Sequence, residues 1–236
     1  MINRRKTITA SAKTVKIGGK YPVVIQSMIK LPTTDVSGCL KQISALADAG
    51  ARLVRLAVPT RLDSIAFAKI VRKSPIPLIA DIHFSPERAI EAIEAGAAKI
   101  RLNPGNIQNK QDIFRIIDCA KAHKIAVRIG INEASIRNLA SDTPCKQRTA
   151  LMIRQMAGYV RLFESRRFDN IVLSVKSSDV QRTIESNMAI AEKFKYPIHI
   201  GLTHAGIAED AIIPASVALG TLLYQGIGDT IRISIA

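Results

Sequence analysis

Five cationic side chains of this sequence stand in short apolar stretches, where charged residues are rare. They are Arg55, Arg101, Arg128, Lys176 and Arg232, and each directly follows a valine or isoleucine. Burying an unpaired charge is costly, so five repeats of one pattern indicate a shared anionic ligand. Guanidinium and ammonium groups suit phosphate oxygens, and five cations exceed what one monophosphate needs. We therefore predict a site for a small diphosphate ester.

Other polar side chains fall where they would accompany these cations. Side chains two residues apart on a strand project to the same side. This spacing pairs Arg101 with Asn103, Ser174 with Lys176, Arg232 with Ser234, and Asp81 with His83. Asn132 ends another apolar stretch and is a further hydrogen-bonding candidate. Asp81 and His83 suit acid/base work or the orientation of an arginine, with a structural ion pair as the alternative.

His199 differs from His83 because apolar neighbours surround it in Ile198-His199-Ile200. We predict a core histidine whose hydrogen bonds are satisfied, and no catalytic role. The three cysteines, Cys39, Cys119 and Cys145, are far apart and form no CxxC pair. Their spacing predicts neither a zinc site nor an iron–sulfur site, and it favours a reducing, cytoplasmic location.

The elements that must position these residues alternate regularly along the chain. Eight near-continuous apolar stretches are typical of strands buried on both faces of a parallel sheet. The predicted strands are Pro22–Ser27, Arg52–Val58, Pro77–Ile82, Lys99–Asn103, Ala126–Asn132, Asn170–Lys176, Ile198–Thr203 and Thr230–Ser234. Seven helical patterns lie between them, at Val36–Ala49, Leu62–Lys73, Pro86–Ala95, Gln111–His123, Arg148–Ser165, Val180–Phe194 and Ile212–Tyr224.

This alternation predicts an α/β fold, a (β/α)₈ TIM barrel, with a doubly wound open sheet as the competitor. An internal repeat favours the barrel, since Ala49–Leu56 and Ala95–Leu102 share one helix end, turn and strand with the arginine in phase. In a barrel, residues at the carboxyl ends of the strands line the mouth where active sites form. The predicted polar residues would therefore meet at one rim.

Two regions flank this alternation. Residues 1–21 are basic and contain no acidic residue, and we predict a hairpin over Thr14–Ile25 with its turn at Gly18-Gly19. Residues 22–236 form the predicted barrel domain, in which the last helix is absent after the eighth strand. We expect an uncovered apolar patch there, and a chain that is part of a larger functional unit.

Composition restricts the partners of this chain. Its formal charge is +15, but it has no tryptophan and only 4% aromatic residues, which disfavours binding of nucleic acid by base stacking. No apolar stretch approaches the roughly 20 residues of a membrane span, so no membrane partner is expected. A small anionic ligand held in a pocket is the better explanation of the buried cations.

Several motifs resemble those of one enzyme family. They are Gln26-Ser27-Met28, Val54–Pro59, Ala80–Phe84, Arg101–Ile107, Val127–Asn132, Ser174–Asp179 and Gly226–Ser234. In this order they resemble the barrel domain of 4-hydroxy-3-methylbut-2-enyl diphosphate synthase, the flavodoxin- or ferredoxin-dependent oxidoreductase of the methylerythritol phosphate pathway of isoprenoid biosynthesis. The resemblance covers essentially the whole chain.

The resemblance implies reductive ring opening of 2-C-methyl-erythritol 2,4-cyclodiphosphate, with electrons delivered through a [4Fe-4S] cluster. It also implies that the five cations grip the diphosphate. Matching positions give His83, Asn132 and Ser234 hydrogen bonds to the substrate and make Asp81 an orienting residue. In this family a cluster domain follows the barrel, and in a homodimer the opposite subunit supplies it.

Two departures from the family pattern lie near the chemistry. The sequence has no counterpart of the cluster domain, so we expect the chain to lack cluster ligands and to be inactive alone. Thr203-His204-Ala205-Gly206 stands where the family has Thr-Glu-Ala-Gly, which makes His204 a candidate catalytic residue beside Asp81 and His83. Small polar residues of the family's first loop are replaced in Met28–Leu31.

These departures leave alternatives open. A noncatalytic remnant or a regulatory binder of anionic ligands would keep the cations and lose the chemistry. A barrel that binds a pterin phosphate, as in dihydropteroate synthase, is a third possibility. If the synthase interpretation is right, a separately supplied cluster domain is the required partner.

Overall fold

The computed structural model of the 236-residue chain describes residues 3–103, 105–133, 136, 143–203 and 207–234. The strands are β1 (Thr9–Ala12), β2 (Val15–Gly18), β3 (Val24–Met28), β4 (Leu53–Ala57), β5 (Leu78–Asp81), β6 (Lys99–Leu102), β7 (Ala126–Asn132), β8 (Ile171–Lys176), β9 (His199–Ile200) and β10 (Thr230–Ile231). The helices are α1 (Val36–Asp48), α2 (Arg61–Lys73), α3 (Pro86–Glu94), α4 (Lys110–Ala122), α5 (Cys145–Ser165), α6 (Val180–Lys193) and α7 (Ala208–Tyr224).

Eight parallel strands form the predicted barrel. Their order is β8-β7-β6-β5-β4-β3-β10-β9, so each strand neighbours the next in sequence and β10 returns to β3. A parallel bridge between Leu173 and Ile198 brings β8 beside β9 and closes the circle. The helices alternate with the strands, and the (β/α)₈ expectation is confirmed.

Alternation along each strand sorts the side chains between two environments. On β6, Ile100 and Leu102 belong to the large apolar cluster between strands and helices, and Lys99 and Arg101 occupy the alternate positions. Every residue of β6 is buried, so the charges on this strand face the barrel interior rather than water. The predicted pattern of apolar stretches with embedded cations therefore arises from a barrel with a polar interior.

The N-terminal hairpin closes the bottom of the barrel. Its strands pair Thr9 with Gly18 and Ala12 with Val15, so the turn lies at Lys13-Thr14. The predicted hairpin over Thr14–Ile25 is therefore wrong, because alternating small and apolar residues pair within β1 and β2. Ala10, Ala12, Val15 and Ile17 pack against a floor of buried side chains, namely Val24, Leu53, Ile79, Ala98, Ala126 and Val172.

The last two strands are shorter than predicted. The patterns Ile198–Thr203 and Thr230–Ser234 become β9 (His199–Ile200) and β10 (Thr230–Ile231). At Gly201 a Cβ would lie 2.6 Å from the Arg232 carbonyl oxygen and 2.6 Å from Lys176 Nζ, a close approach that only glycine allows. Arg232 and Ser234 consequently stand on the segment after β10 rather than within it.

Helix starts also differ from the predicted bounds. α5 begins at Cys145 instead of Arg148, and α7 begins at Ala208 instead of Ile212, with Pro214 inside it. Glu209 and Asp210 in the first turn of α7 favour the earlier start through the helix dipole. Apolar side chains remain exposed near the last strands, with Ile25 of β3 half-exposed and Ile213 of α7 73% exposed. None of the helices that the structure describes is both long and apolar enough to cross a membrane.

Five helices end in the same hydrogen-bonded turn, which requires a left-handed residue. The residue after each C-cap has positive φ, and the next amide bonds back five residues, as in Ala51 to Leu46 and Ile125 to Ala120. Glycine occupies this position after α1, α3 and α7, but Lys124 (φ 54°) and Arg167 (φ 52°) occupy it after α4 and α5. A side chain in this conformation costs about 1 kcal/mol or more relative to glycine.

Lys124→Gly is therefore expected to stabilise the chain by about 1 kcal/mol, which raises the melting temperature by roughly 2–4 °C for a domain of this size. Thermal unfolding followed by circular dichroism measures this shift. Lys121→Gly is the matched control because Lys121 lies in the last turn of α4 and its ammonium binds the Arg166 carbonyl. The control should melt lower. A lower melting temperature for Lys124→Gly as well would show that the left-handed backbone of Lys124 does not destabilise the fold.

Candidate active site

The five predicted cations meet at the carboxyl ends of the strands. Arg55, Arg101, Arg128 and Lys176 come from β4, β6, β7 and β8, and each is at most 9% exposed. Arg232 follows β10 and is half-buried. The pairing of neighbouring strands places Arg101 beside Arg128, and Asn132 beside Lys176. The helices that follow these strands begin at the same rim, so their positive dipole ends add to the attraction for an anion.

Asp81 is the carboxylate around which the arginines are arranged. Its oxygens lie 3.6 Å from Arg55 Nε and 3.4 Å from Arg101 Nη1, and 3.9 Å from His83 Nε2. Burial alone would raise the pKa of Asp81, but the charges of Arg55, Arg101 and Arg128 outweigh it and lower the pKa. Asp81 and His83 are thus in contact, as are Asp81 and two of the arginines. His83 itself is partly exposed at the rim.

Like charges crowd the remaining cations. Burial and the neighbouring Arg55 and Arg101 lower the pKa of Arg128, and burial with Arg128 lowers the pKa of Lys176. Burial and Arg55 lower the pKa of Arg232 to about 10. A cluster in which positive charges destabilise one another favours an anionic ligand, because an incoming anion relieves the repulsion.

Glycine and methionine make room for these side chains. A Cβ on Gly130 would lie 3.2 Å from both Arg101 Nε and Arg128 Nη2, so the two guanidinium groups pass over bare backbone. Met28 Sδ contacts Arg55 Nη2 at 2.8 Å and Arg232 Nη1 at 2.9 Å. Neither role was predicted from sequence, although both residues lie within the motifs that carry the family resemblance.

The smaller polar residues have different surroundings. Ser234 accepts a hydrogen bond from Arg232 Nη2 at 2.6 Å, although both residues follow β10 instead of lying on it as predicted. Asn103 is buried, and its side-chain oxygen accepts a hydrogen bond from the Gly105 backbone N–H, which is thereby engaged in the turn after β6. Asn132 ends β7, and Ser174 lies fully buried on β8, two residues before Lys176. His204 lies outside the described residues.

An acidic residue that sequence analysis overlooked ties together two strand ends. Glu133 follows Asn132, accepts a hydrogen bond from Ser177 at 2.6 Å, and contacts Arg148 and Arg182 at 3.0 and 3.1 Å. Burial would raise the pKa of Glu133, but the bonds from Ser177 and Arg148 and the charge of Arg182 lower it. Since Ser177 follows Lys176, this cluster fixes the ends of β7 and β8 that carry Asn132 and Lys176.

The deeper interior holds two further titratable groups. Lys99 is fully buried on β6, and its Nζ has no hydrogen-bond partner. His199 is also fully buried, with Nδ1 3.5 Å from Thr230 Oγ1 and Nε2 unpartnered. The prediction of a satisfied core histidine is therefore only half right. Strand alternation could have identified Lys99, since it stands two residues before Arg101.

A cleft of about 700 Å³ opens beside the cations between β3, β4 and β10. Met28, Arg232 and Ser234 line one side, and Ile29, Lys30 and Leu31 line another. The first loop, whose small polar residues the sequence lacks, thus forms part of the wall. A small anionic molecule can reach Arg232 from this cleft.

The described residues offer few ligands for a metal ion or a cluster. Among the described residues, no group of three or more His, Cys, Asp or Glu side chains is placed to hold a metal ion. Cys39 is buried near the start of α1, and Cys119 lies near the end of α4. These residues do not fit a [4Fe-4S] cluster.

Comparison with known proteins assigns the family. Residues 7–236 match the family described as the GcpE TIM-barrel domain. The chain belongs to the GcpE family. It is 43% identical over its whole length to 4-hydroxy-3-methylbut-2-en-1-yl diphosphate synthase (flavodoxin) of Sulfurihydrogenibium sp., and covers 67% of that protein. The enzymes of the same name from Malacoplasma penetrans and Aquifex aeolicus are 44% and 42% identical, over 98% and 100% of the chain, with 64% and 66% of their lengths covered.

The chain thus spans about two thirds of the length of its GcpE relatives, which is their barrel part. Solved structures share the fold at low identity. Dihydropteroate synthase from Yersinia pestis has a TM-score of 0.65 at 11% identity, over 96% of this chain and 93% of that one. A truncated 3-deoxy-D-arabino-heptulosonate 7-phosphate synthase from Thermotoga maritima has 0.62 at 14%, over 98% and 81%. These likenesses show the barrel alone, and the sequence relatives favour GcpE over the pterin alternative.

Proposed function

We propose that this chain is the substrate-binding barrel of a 4-hydroxy-3-methylbut-2-enyl diphosphate synthase and binds 2-C-methyl-erythritol 2,4-cyclodiphosphate. The observation that carries the proposal is the set of four buried cations and Arg232 around one carboxylate, at the mouth of a GcpE barrel. A single Asp81 cannot neutralise five cations. A ligand with two ionised phosphates offsets two of the remaining positive charges and offers enough acceptor oxygens for several guanidinium forks.

Each predicted site residue has a proposed task. The five cations hold the two phosphates, with Asn103, Asn132 and Ser234 placed to add hydrogen bonds. His83, partly exposed at the rim, also faces the ligand and contacts Asp81. Asp81 keeps Arg55 and Arg101 oriented while the site is empty. His204 takes the position of the family's glutamate in sequence, and we propose it as a proton donor.

Electron transfer needs a group that the described residues do not hold. In this proposal a [4Fe-4S] domain, from a homodimer partner or a separate chain, covers the mouth and receives electrons from flavodoxin or ferredoxin in the cytoplasm. The name of the relatives, which specifies flavodoxin, supports this electron donor. The chain's own contribution is to bind and orient the cyclic diphosphate.

Calorimetry with the cyclodiphosphate tests the binding step. We expect one site per chain, with affinity that falls as salt concentration rises because charged groups dominate the contact. A dihydropterin pyrophosphate serves as the competing ligand for the pterin alternative. Tighter binding of the pterin, or no binding of the cyclodiphosphate, would contradict the proposal.

A second measurement separates an enzyme part from a regulatory binder. Addition of a GcpE cluster domain with reduced flavodoxin should produce turnover of the bound cyclodiphosphate. The control uses the same mixture without this chain. Binding without turnover in the complete mixture would favour a noncatalytic binder of anions.

A further inference from the structure

A fully buried lysine lies directly beneath the proposed substrate site. Lys99 has 0% exposure and its Nζ has no hydrogen-bond partner. Its neighbours in register are Ile79 on β5 and Ala126 on β7, and both belong to the apolar floor above the hairpin. No acceptor among the described residues is placed to bond this amine, and its neighbours across the sheet are apolar.

The charges around Lys99 add to the penalty for a charged form. Arg128 on β7 and Arg55 on β4 face it with positive charge, and burial is the largest effect that lowers the pKa of Lys99. From β9, His199 is fully buried, and burial together with Arg128, Lys176 and Lys99 lowers its pKa. Arg232 adds positive charge near His199 from beyond β10.

Among the described residues, no carboxylate offsets these charges at the level of Lys99. Asp81 on β5 contacts Arg55, Arg101 and His83. Asp229, before β10, is engaged by Arg4 and by the Ile198 amide. The buried residues of the hairpin below contribute only apolar side chains to the floor. An ammonium at this place would be an unpaired buried charge among like charges, which proteins avoid.

We propose that Lys99 is an uncharged amine in the ligand-free barrel and takes up a proton when a dianion binds to the cations above it. Two negative charges at the mouth lower the positive potential that Lys99 experiences. The proton enters from solvent as the ligand binds, and it leaves again with the ligand. Lys99 is thus a positioning residue for charge balance, and it does not itself contact the reacting atoms. The second half of this inference rests on the proposed function.

The first test needs no ligand. The unfolded chain protonates this lysine below a pKa of about 10.4, whereas the folded chain does not, so folding releases a proton between the two values. Stability must therefore rise with pH in that interval. The measured quantity is the ratio of two unfolding equilibrium constants, that of the wild type divided by that of Lys99→Met. As the wild type gains stability with pH, we expect this ratio to fall by up to tenfold per pH unit between pH 7 and 9.5. Urea unfolding at several pH values measures it.

A constant ratio across this range would overturn the proposal, since it would mean that folded Lys99 keeps its proton. Lys99→Gln provides a second variant in case the methionine variant folds poorly. Lys124→Met, an exposed lysine far from the mouth, is the matched control and should leave the ratio constant. This test stands even if the cyclodiphosphate does not bind.

The second test counts protons during binding. Calorimetric titration with the cyclodiphosphate at pH 8 in HEPES and in Tris separates the binding heat from the buffer heat. Each phosphate of this cyclic ligand has one ionised oxygen that titrates well below neutral pH, so the ligand contributes no protons. We expect the wild type to take up as much as one proton, and Lys99→Met to lose that uptake while it still binds.

Each outcome has a distinct meaning. Equal uptake by the wild type and Lys99→Met, with loss in Lys176→Met, would assign the proton to Lys176 and overturn the proposal. A third outcome is that Lys99→Met no longer binds measurably and that the wild type takes up no proton. Lys99 would then be a permanently charged group that holds the anion, which also overturns the proposal. Failure of the wild type to bind the cyclodiphosphate would contradict the proposed function, and the ligand-free test would then decide the charge of Lys99.

Discussion

Asp81→Asn is expected to lower the free energy of unfolding by about 3–5 kcal/mol, the range observed when one partner of a buried charge pair is removed. Asp81 is 3% exposed and its carboxylate contacts Arg55 and Arg101. The asparagine keeps the shape but removes the negative charge that stabilises this cationic interior. For a domain of this size the melting temperature should fall by roughly 6–20 °C.

The pH dependence of this loss follows from the lowered pKa of Asp81. A carboxyl whose pKa is lower in the folded state stabilises the fold above its unfolded pKa of about 3.9. That contribution disappears as the pH falls through the folded value. The stability difference between wild type and Asp81→Asn should therefore be constant between pH 5 and 8 and shrink below about pH 4.

Thermal and urea unfolding of the ligand-free proteins measure both effects. Asp35→Asn is the matched control, because Asp35 is an exposed N-cap of α1 and asparagine caps a helix equally well. A loss as small as that of the control would show that Asp81 is not the counter-charge of the arginines. A difference that persists unchanged at low pH would point to packing instead of charge.

Much of this architecture could be predicted from the sequence, because strand alternation is a local property. The apolar stretches predicted the barrel strands, and the two-residue spacing put Asp81 and His83 on one side, where they are in contact. Arg232 and Ser234 are also in contact, but they follow β10 instead of lying within it. The hairpin prediction was wrong because it took Gly18-Gly19, a strong turn signal, as the turn of the hairpin. The structure places Gly18 at the end of β2 and the turn at Lys13-Thr14.

Features that depend on contacts between distant strands could not be read in this way. Glu133 meets Arg148, Ser177 and Arg182 only because β7 and β8 are neighbours and α5 and α6 begin beside them. Gly130 matters because two arginines from neighbouring strands cross it. Lys99 was detectable by spacing alone, but its lack of a partner is a property of the closed barrel.

Arg128→Met should abolish most of the affinity for the cyclodiphosphate. Arg128 is 3% exposed, stands beside Arg101 in register and passes over Gly130 towards the centre of the cation cluster. Loss of one buried, hydrogen-bonded charge from a binding site costs about 2–5 kcal/mol. The dissociation constant should therefore be roughly 30- to 5,000-fold larger, which calorimetry would measure.

The same substitution should leave the ligand-free protein as stable as the wild type or more stable. Burial and the charges of Arg55 and Arg101 lower the pKa of Arg128, so an apolar side chain of similar length relieves both penalties. Arg52→Met, on an exposed arginine of the same barrel, controls for the loss of net charge and should change affinity little. Weaker binding together with a higher melting temperature would show that this cation is kept for its ligand. Unchanged affinity in Arg128→Met would place the anion elsewhere, since the central cation of the cluster cannot be neutral to a diphosphate bound around it.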